Sequence, residues 1–451
     1  MLKDFIFYSS YGFILLFSLL LMRGRKRRAE DVLFLIGVAL LTIGKLFYLP
    51  FLNLVSVKAG FIFTTIVGSI SLLISFIKGV DKFLFVPFIL VLPALLSIVF
   101  LYPISQSMFV AAASNATSAG SPLLRIISIL FTSIYCAYVI NYVSTRKNGQ
   151  RDTALSYVVA TLFATFIGGF MTYGLFTGDL TKDALVPVSV EEIHMAGRLF
   201  RFNPGASVNE FGEIAGYSVF MLRWTGWRTA TKISVAAILM GAIFMSLTRG
   251  AWVGLVVGYM VYAMFSEPKQ RTRIFLAAGM LIGVLLVVTL SNDLLRALLI
   301  SRTSLGDSPG GNDRLNTAAA IFEAMTRTPL RSLFGYGWAA DIFSPNYGFP
   351  DIGYIHSVPL MFLFDTGLVG VAICAMTFYA LGRFILARVR KDLDIFAGII
   401  AFMFTVSMFE HIFFHVQTWL MLGLLLGIAL RSPKIAAQAP ASPRLQEQAA
   451  Q

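Results

Sequence analysis

Long runs of apolar residues recur along the whole chain, and they constrain its fold more than any other feature of the sequence. Of the 451 residues, 57% are hydrophobic and only 13% carry a charge. A soluble domain could not cover that much apolar side chain with polar surface. The runs recur at lengths that cross about 30 Å of hydrocarbon as helices. The sequence therefore predicts an all-α, polytopic transmembrane helical bundle.

Thirteen membrane spans are predicted from these runs, and basic residues give their orientation. The expected spans cover 5–22, 32–52, 59–77, 83–102, 123–143, 154–177, 209–224, 233–248, 251–266, 274–291, 357–381, 394–412 and 416–430. Lys and Arg collect in alternate loops, for example "RGRKRRAED" after the first span and the tail that begins "RSPK". Because basic loops are retained in the cytoplasm, the N-terminus is predicted outside and the C-terminus inside.

Three regions are expected along the chain. Residues 1–177 form N-terminal transmembrane helices, and residues 178–435 form a membrane core with exported loops at about 178–208 and 292–356. Loops of this length usually have a function. Residues 436–451 are rich in Ala, Pro, Gln and Ser, which cannot bury a core, so this tail is predicted to be disordered.

Several classes of function are excluded or disfavoured by composition. The net charge of +13 lies in short loops between spans, so it does not indicate nucleic-acid binding. Cys136 and Cys374 both lie inside apolar runs, which indicates core residues and not a disulfide. His411 and His415 have helical spacing beside Glu410, but the acidic residue that a zinc protease helix places between its histidines is missing. These three are interpreted as polar residues at the outer end of a span, and neither metal nor cofactor is predicted.

The second exported loop is rich in arginine and has no lysine, although its expected location disfavours positive charge. Its arginines are Arg296, Arg302, Arg314, Arg327 and Arg331. Guanidinium binds phosphate or carboxylate through a fixed fork, whereas lysine offers a point charge. An ordinary solvated helix would explain any one of these arginines equally well. The stretch "NDRLNTAAAIFEAMTRTPL" predicts such a short helix, ended by Pro329.

Two further residues stand at the predicted membrane boundary. Arg249 lies between two apolar spans with almost no loop to keep it in water. Ionisable groups at membrane level are costly and are functional candidates, although an arginine that reaches to the interface is the simpler alternative. His356 directly precedes an almost uncharged run, where a structural residue at a helix end is also an alternative. Together they suggest a site for an anion carried on a lipid, such as a diphosphate with a polyprenyl tail.

Four motifs in order give the chain a resemblance to the O-antigen ligase and O-antigen polymerase superfamily of bacterial envelope glycosyltransferases. His356 and Ser357 are followed by nine residues, Gly367, two residues and Gly370, which is the spacing of the ligase motif. "SLTRGAW" resembles the family's Arg-Gly turn, "GRLFRFNPGASVNEFGE" its exported Arg and Asn-Pro segment, and "NDRLNTAAAIFEAMTRTPLRSLFGYGW" the stretch before the histidine. The commoner residue after the histidine is Asn, and Glu is usual where Asp365 stands.

The resemblance implies an activity and assigns roles to residues. A glycan would be transferred from undecaprenyl diphosphate to an acceptor hydroxyl, at the outer face of the bacterial inner membrane, without a nucleotide or a metal. Arg249, with Arg198, Arg201 and Arg314, would bind and neutralise the diphosphate. His356 would act as base or contact the donor, since an unperturbed histidine, with a pKa of about 6.5, suits proton transfer near neutral pH. The expected partners are the lipid-linked oligosaccharide, a glycan or lipid acceptor and other polysaccharide assembly proteins.

The acceptor distinguishes two members of this superfamily, and the sequence leaves both open. A polymerase joins repeat units of O-antigen, capsule or exopolysaccharide, whereas a ligase transfers the finished chain to the lipid A core or another acceptor. The polymerase is preferred because many surface polysaccharides need one. A transporter or flippase is the alternative from another class, and it predicts charged residues in mid-span. A structural or sensory membrane protein predicts no cluster of exported arginines.

Overall fold

The computed structural model describes most of the expected membrane core. The described residues are 2–22, 29–43, 87–89, 91–92, 122–179, 192–194, 198–200, 208–246, 248–291, 296, 311–327, 329–337, 355–389, 392–410, 412 and 415–431. Nearly all of them are in α-helices. A helix satisfies every backbone polar group within its own segment, which a hydrocarbon surrounding requires. The predicted all-α class is therefore confirmed.

The first part of the chain contributes five helices and a small hairpin to the described structure. They are α1 Leu2–Met22, α2 Ala29–Ile43, α3 Pro122–Thr145, α4 Gly149–Thr177, β1 Glu192–His194, β2 Arg198–Phe200 and α5 Val208–Met221. A 3₁₀ turn, Leu222–Trp224, extends α5.

The second part of the chain contributes the remaining described helices. They are α6 Thr229–Ser246, α7 Arg249–Phe265, α8 Pro268–Leu290, α9 Gly311–Arg327, α10 Pro329–Phe334, α11 Val358–Arg388, α12 Leu393–Phe409 and α13 Val416–Leu430.

Most of the expected spans coincide with these helices. The exceptions are 59–77, which lies outside the described residues, and 83–102, of which only 87–89 and 91–92 are described. Within the described part of the chain, three helical stretches are both long and apolar enough to cross a membrane: Gly149–Leu175, Thr229–Ser246 and Val358–Ile385. Other apolar helices, such as α7, α12 and α13, are shorter. The total of thirteen spans stays a prediction.

The first exported loop corrects the picture in one detail, because it contains a short antiparallel sheet. Strands β1 and β2 pair with Ile193 opposite Leu199 and His194 opposite Arg198. Strand β2 lies against helix α4. Three-residue strands with a charged residue in each carry too little alternation to be recognised by their pattern.

Helices α7 and α12 form the closest helix pair of the described structure. A stripe of glycines on α7, at Gly250, Gly254 and Gly258, faces α12. A Cβ atom added at Gly258 would lie 2.9 Å from the carbonyl oxygen of Gly398, so the two backbones are nearly in contact there. Small residues four apart allow this approach between membrane helices. The packing fixes the first residue of α7, Arg249, relative to the last residues of α12.

Candidate functional site

The turn that carries Arg249 is held by its own hydrogen bonds. Thr248 precedes α7 with extended backbone, and its carbonyl accepts a hydrogen bond from the Trp252 amide. The hydroxyl of Ser246, at the end of α6, donates to Thr248 Oγ1 at 3.0 Å. The Trp252 indole donates to the Ile243 carbonyl at 3.0 Å. Arg249 is therefore the first residue of a helix whose start has one defined conformation.

His356 lies two residues before helix α11, which begins at Val358, one residue later than the predicted span. Ser357 is the N-cap, with extended backbone, and its carbonyl accepts the first hydrogen bond of the helix from Met361. The His356 side chain is 38% exposed as a whole, whereas its Nδ1 atom is buried. The exposed surface of this side chain therefore belongs to atoms other than Nδ1.

Glu410 brings the histidine and the arginine turn together. Its carboxylate Oε2 lies 3.9 Å from His356 Nδ1, and its side chain is only 4% exposed. Glu410 caps the C-terminal end of α12, directly after Phe409. On the other side, a Cβ atom added at Gly250 would lie 3.0 Å from Phe409 Cβ. Gly250, next to Arg249, therefore contacts Phe409, next to Glu410. Glu410 itself faces His356.

The electrostatics of this region favour a negatively charged ligand. A histidine that can carry a proton lies nearby. Helices α7 and α11 both begin here, and the N-terminal end of a helix carries a positive partial charge and free backbone N–H groups. Arg249 adds a full positive charge at one of these ends. At 3.9 Å the His356–Glu410 pair is longer than a hydrogen bond, but the carboxylate is close enough to stabilise a positive charge on the imidazole. A cationic residue, two helix N-terminal ends and a histidine–carboxylate pair thus lie close together.

The glycines of the histidine motif have a structural role. Helix α11 is broken at Gly367, where the backbone has φ 65° and ψ −170°. The break frees the carbonyls of Phe364 and Asp365, which accept hydrogen bonds from the Tyr336 and Gly337 amides at 2.8 and 2.9 Å. The loop after α10 therefore replaces the hydrogen bonds that α11 loses.

The contact between this loop and α11 leaves no space for larger residues. A Cβ atom at Gly367 would lie 2.4 Å from the Leu333 carbonyl oxygen. One at Gly335, which has φ 76°, would lie 2.3 Å from the Asp365 carbonyl oxygen. At Gly370, a Cβ would lie 2.0 Å from Thr366 Oγ1. The "GYG" of the exported loop and the glycine motif of α11 form one interlocked unit, which holds the exported helices on the element that follows His356.

For the remaining predicted site residues within the described part of the chain, the structure gives the element that carries each of them. Arg314 is on α9, which begins at Gly311 and contacts α10 and α11. Pro329, expected to end this helix, is the first residue of α10. Arg198 is in strand β2, against α4, and Arg201 lies outside the described residues. Their roles in binding a diphosphate stay predictions.

Three residues that sequence reasoning passed over are part of this end of the bundle. Glu410 was interpreted only as a polar residue at the end of a span, yet it faces His356. Glu213 and His415 form a buried pair, with His415 Nδ1 2.5 Å from Glu213 Oε2. They are 202 positions apart, so no local pattern joins them. His411 lies outside the described residues.

The fold and the site together define a helical membrane protein with an arginine, a histidine and a carboxylate at one end of its bundle. Residues 234–375 match the family model described as O-antigen ligase. This match supports the resemblance to the O-antigen ligase and polymerase superfamily that the motifs gave. Proteins of this kind are glycosyltransferase-type enzymes that act on a glycan or lipid-linked substrate. No curated protein matches the chain.

The matched region includes only part of the site. It covers Arg249, Arg314, His356 and the two motif glycines of α11. Five other residues that bear on the site lie outside the match, namely Arg198, Arg201, Glu213, Glu410 and His415.

Proposed function

We propose that this protein is a membrane glycosyltransferase that uses an undecaprenyl-diphosphate-linked glycan at the outer face of the bacterial inner membrane. Its reaction in the cell is polymerisation of repeat units of a surface polysaccharide, which needs neither metal nor nucleotide. The observation that supports this best is the convergence of His356 and the Arg249 turn on the end of α12. It supports the proposal because this reaction requires a cation and a base close together at one end of the membrane bundle.

The chemistry assigns one task to each group. An acceptor hydroxyl attacks the anomeric carbon of the donor glycan, and the bond from that carbon to the diphosphate oxygen breaks. His356 Nε2 takes the hydroxyl proton, while Glu410 on the Nδ1 side stabilises the charge that forms on the ring. Arg249 and the N-terminal ends of α7 and α11 stabilise the leaving diphosphate, and preorganised charge of this kind is usually the largest catalytic contribution. His356 then releases the proton to solvent after the product has left the site.

A ligase is the second candidate, because the matching family model carries that description. Its chemistry is the same and its acceptor differs, being the lipid A core or another molecule. Deletion of the gene in the native bacterium separates the two. Loss of a polymerase leaves single repeat units on the acceptor and removes long chains, whereas loss of a ligase leaves long chains on the polyprenyl carrier. A flippase would instead leave its substrate on the cytoplasmic side.

The role of His356 is tested by returning His356→Ala to the deletion strain. We expect normal protein abundance, because the side chain is 38% exposed and its truncation opens no core cavity. Transfer should fall by about 100-fold or more, the scale of a lost acid–base group. Glu410→Gln keeps the size of the side chain and removes its charge, so it should reduce transfer in the same direction.

The matched control is His194→Ala, in the exported hairpin, which should leave product nearly unchanged. Lipid extraction and gel analysis of surface polysaccharide measure donor and product together. Near-parent transfer by purified His356→Ala would make His356 a structural helix-end residue and would remove the main support of the proposal.

A further inference from the structure

A buried polar cluster lies directly below the proposed site and takes no part in the chemistry described above. Glu213 is fully buried in the second turn of α5. His415 Nδ1 approaches its Oε2 at 2.5 Å, and the Thr418 hydroxyl donates to its Oε1. The Tyr217 hydroxyl lies 3.3 Å from Thr418 Oγ1. Both carboxylate oxygens of Glu213 are therefore held by groups at the start of α13.

Such a pair is poorly explained by stability alone. Removing two ionisable groups from water is costly, and well-packed apolar residues often replace a buried pair without loss of stability. A buried, fully hydrogen-bonded pair does fix geometry, because its short contacts tolerate little displacement. His415 is also the N-cap of α13, so the pair sets where this helix begins relative to α5.

The two partners of this pair lie next to the two halves of the proposed site. Gly212, beside Glu213, faces the arginine turn, where an added Cβ would lie 3.1 Å from Thr248 Cβ and 2.9 Å from Ala251 Cβ. On the other side, the His415 amide donates to the Ile412 carbonyl at 2.9 Å. Ile412 is two positions after Glu410 in the chain, and Glu410 faces His356.

From this arrangement we infer that the Glu213–His415 pair is a positioning element that sets the location of Arg249 relative to Glu410 and His356. The inference rests on the proposed function for its meaning in catalysis, but the geometry that it predicts does not depend on turnover. It assigns His415 a role in the reaction without contact to the substrate. It also predicts that the polar link, and not the volume of the two side chains, is what the site requires.

Three variants separate these possibilities. His415→Leu removes the hydrogen bond and leaves Glu213 buried against an apolar group. His415→Asn keeps an N–H donor near the position of Nδ1. The double variant Glu213→Leu with His415→Leu removes both polar groups, which protects the fold from an uncompensated buried carboxylate.

The geometry is read from the reactivity of single cysteines in purified protein in detergent. Thr248→Cys and Ser357→Cys report the two halves of the site, since Thr248 is 2% and Ser357 is 8% exposed. Cys136 and Cys374 are replaced by Ala, so each reporter is the only thiol. Thr272→Cys, at an exposed position near the start of α8, is the control for general loosening.

We expect a water-soluble maleimide to label both reporters about tenfold faster in His415→Leu and in the double variant, because local opening exposes them. His415→Asn should label at the parent rate, and the Thr272→Cys rate should be the same in every background. Transfer of lipid-linked glycan should fall by about 100-fold with the first two variants, the effect of misplacing reacting groups by about 1 Å. The loss should appear in turnover more than in the donor concentration at half-maximal rate.

Parent labelling rates at both reporters in His415→Leu and in the double variant would overturn the positioning role, whatever the enzyme does. A double variant with parent labelling and parent transfer would do the same, because volume alone would then suffice. If the deletion strain makes normal surface polysaccharide, the proposed function fails, while the labelling rates still decide whether the pair positions this end of the bundle.

Discussion

Single residues at the end of the bundle where α7 and α11 begin differ in charge and burial. Arg249 is the first residue of α7, so its positive charge lies at the N-terminal end of that helix. Glu410 is almost fully buried beside His356. A buried carboxylate near a histidine and an arginine keeps opposite charges close together. This lowers the free-energy cost of holding either charge at membrane level.

The arginine at this position should not be replaceable by lysine. Arg249→Lys keeps the charge but loses the planar fork that binds two phosphate oxygens at once, so we expect most of the activity to be lost at normal protein abundance. The measurement is the length and amount of surface polysaccharide in the deletion strain. Arg327→Lys is the matched control, because Arg327 is exposed on α9 and pairs with Glu323 one turn away, an arrangement worth about 0.3–0.5 kcal/mol. Near-normal product from Arg249→Lys would reduce this residue to an anchor at the interface.

At the scale of elements, the exported helices and the membrane helix α11 act as one unit. The break in α11 at Gly367 and the loop at Gly335 fit each other backbone to backbone. The Tyr336 ring stacks on Phe364, with 4.7 Å between centroids, and its hydroxyl donates to the Ala324 carbonyl in α9. Any movement of α9 is thus transmitted to the segment that follows His356.

The interlock predicts a large difference between two glycine substitutions. Gly335 and Gly178 both have a positive φ, of 76° and 82°, so alanine at either costs about 1–2 kcal/mol in backbone strain. Only at Gly335 would the new Cβ meet backbone, 2.3 Å from the Asp365 carbonyl oxygen, whereas the space at Gly178 is open. That contact should add about 1–3 kcal/mol.

Thermal unfolding in detergent and transfer activity measure the outcome. Gly335→Ala should lower both, whereas Gly178→Ala should lower stability by the backbone strain alone and leave transfer unchanged. Equal effects of the two substitutions would mean that the contact with α11 is not required.

Sequence patterns predict these elements unevenly, for physical reasons. Apolar length places most helices within a few residues, because hydrocarbon requires closed backbone hydrogen bonding. The pattern gives an unbroken span at 357–381, whereas the helix breaks at Gly367, since a loop far along the chain replaces its hydrogen bonds. The motif residues His356 and Arg249 are found from the sequence. Glu410 and Glu213 are not, because only the fold brings them to their partners.

At the scale of the whole molecule, contacts group the loops by predicted side. Loops expected in the cytoplasm meet each other: Arg146 pairs with Glu30 at 2.9 Å, Arg431 donates to the Lys147 carbonyl, and Ser266 donates to Asp394 at 3.3 Å. Segments expected outside meet at the other end, where Glu213 contacts His415 and His356 faces Glu410. A single error in the alternation of spans would bring segments of opposite side together. These contacts therefore support the predicted grouping of the loops into two sides, whereas the loop charges alone predict which side is cytoplasmic.

The orientation itself is tested by cysteine labelling in intact cells and in inverted vesicles. We expect cysteines at positions 25 and 390 to react only from the cytoplasmic side, and cysteines at positions 118 and 341 only from the outside, because Lys and Arg collect in the loops that hold the first two. All four positions lie outside the described residues, so the loop charges alone carry this prediction. Reaction of position 118 from the cytoplasmic side would show that the assignment of the early spans is wrong, but it would not affect the proposed site. Reaction of position 341 from the cytoplasm would contradict the proposed site as well, since this loop joins α10 to His356. It would place the proposed site in the cytoplasm, whereas the glycan of an exported donor lies outside.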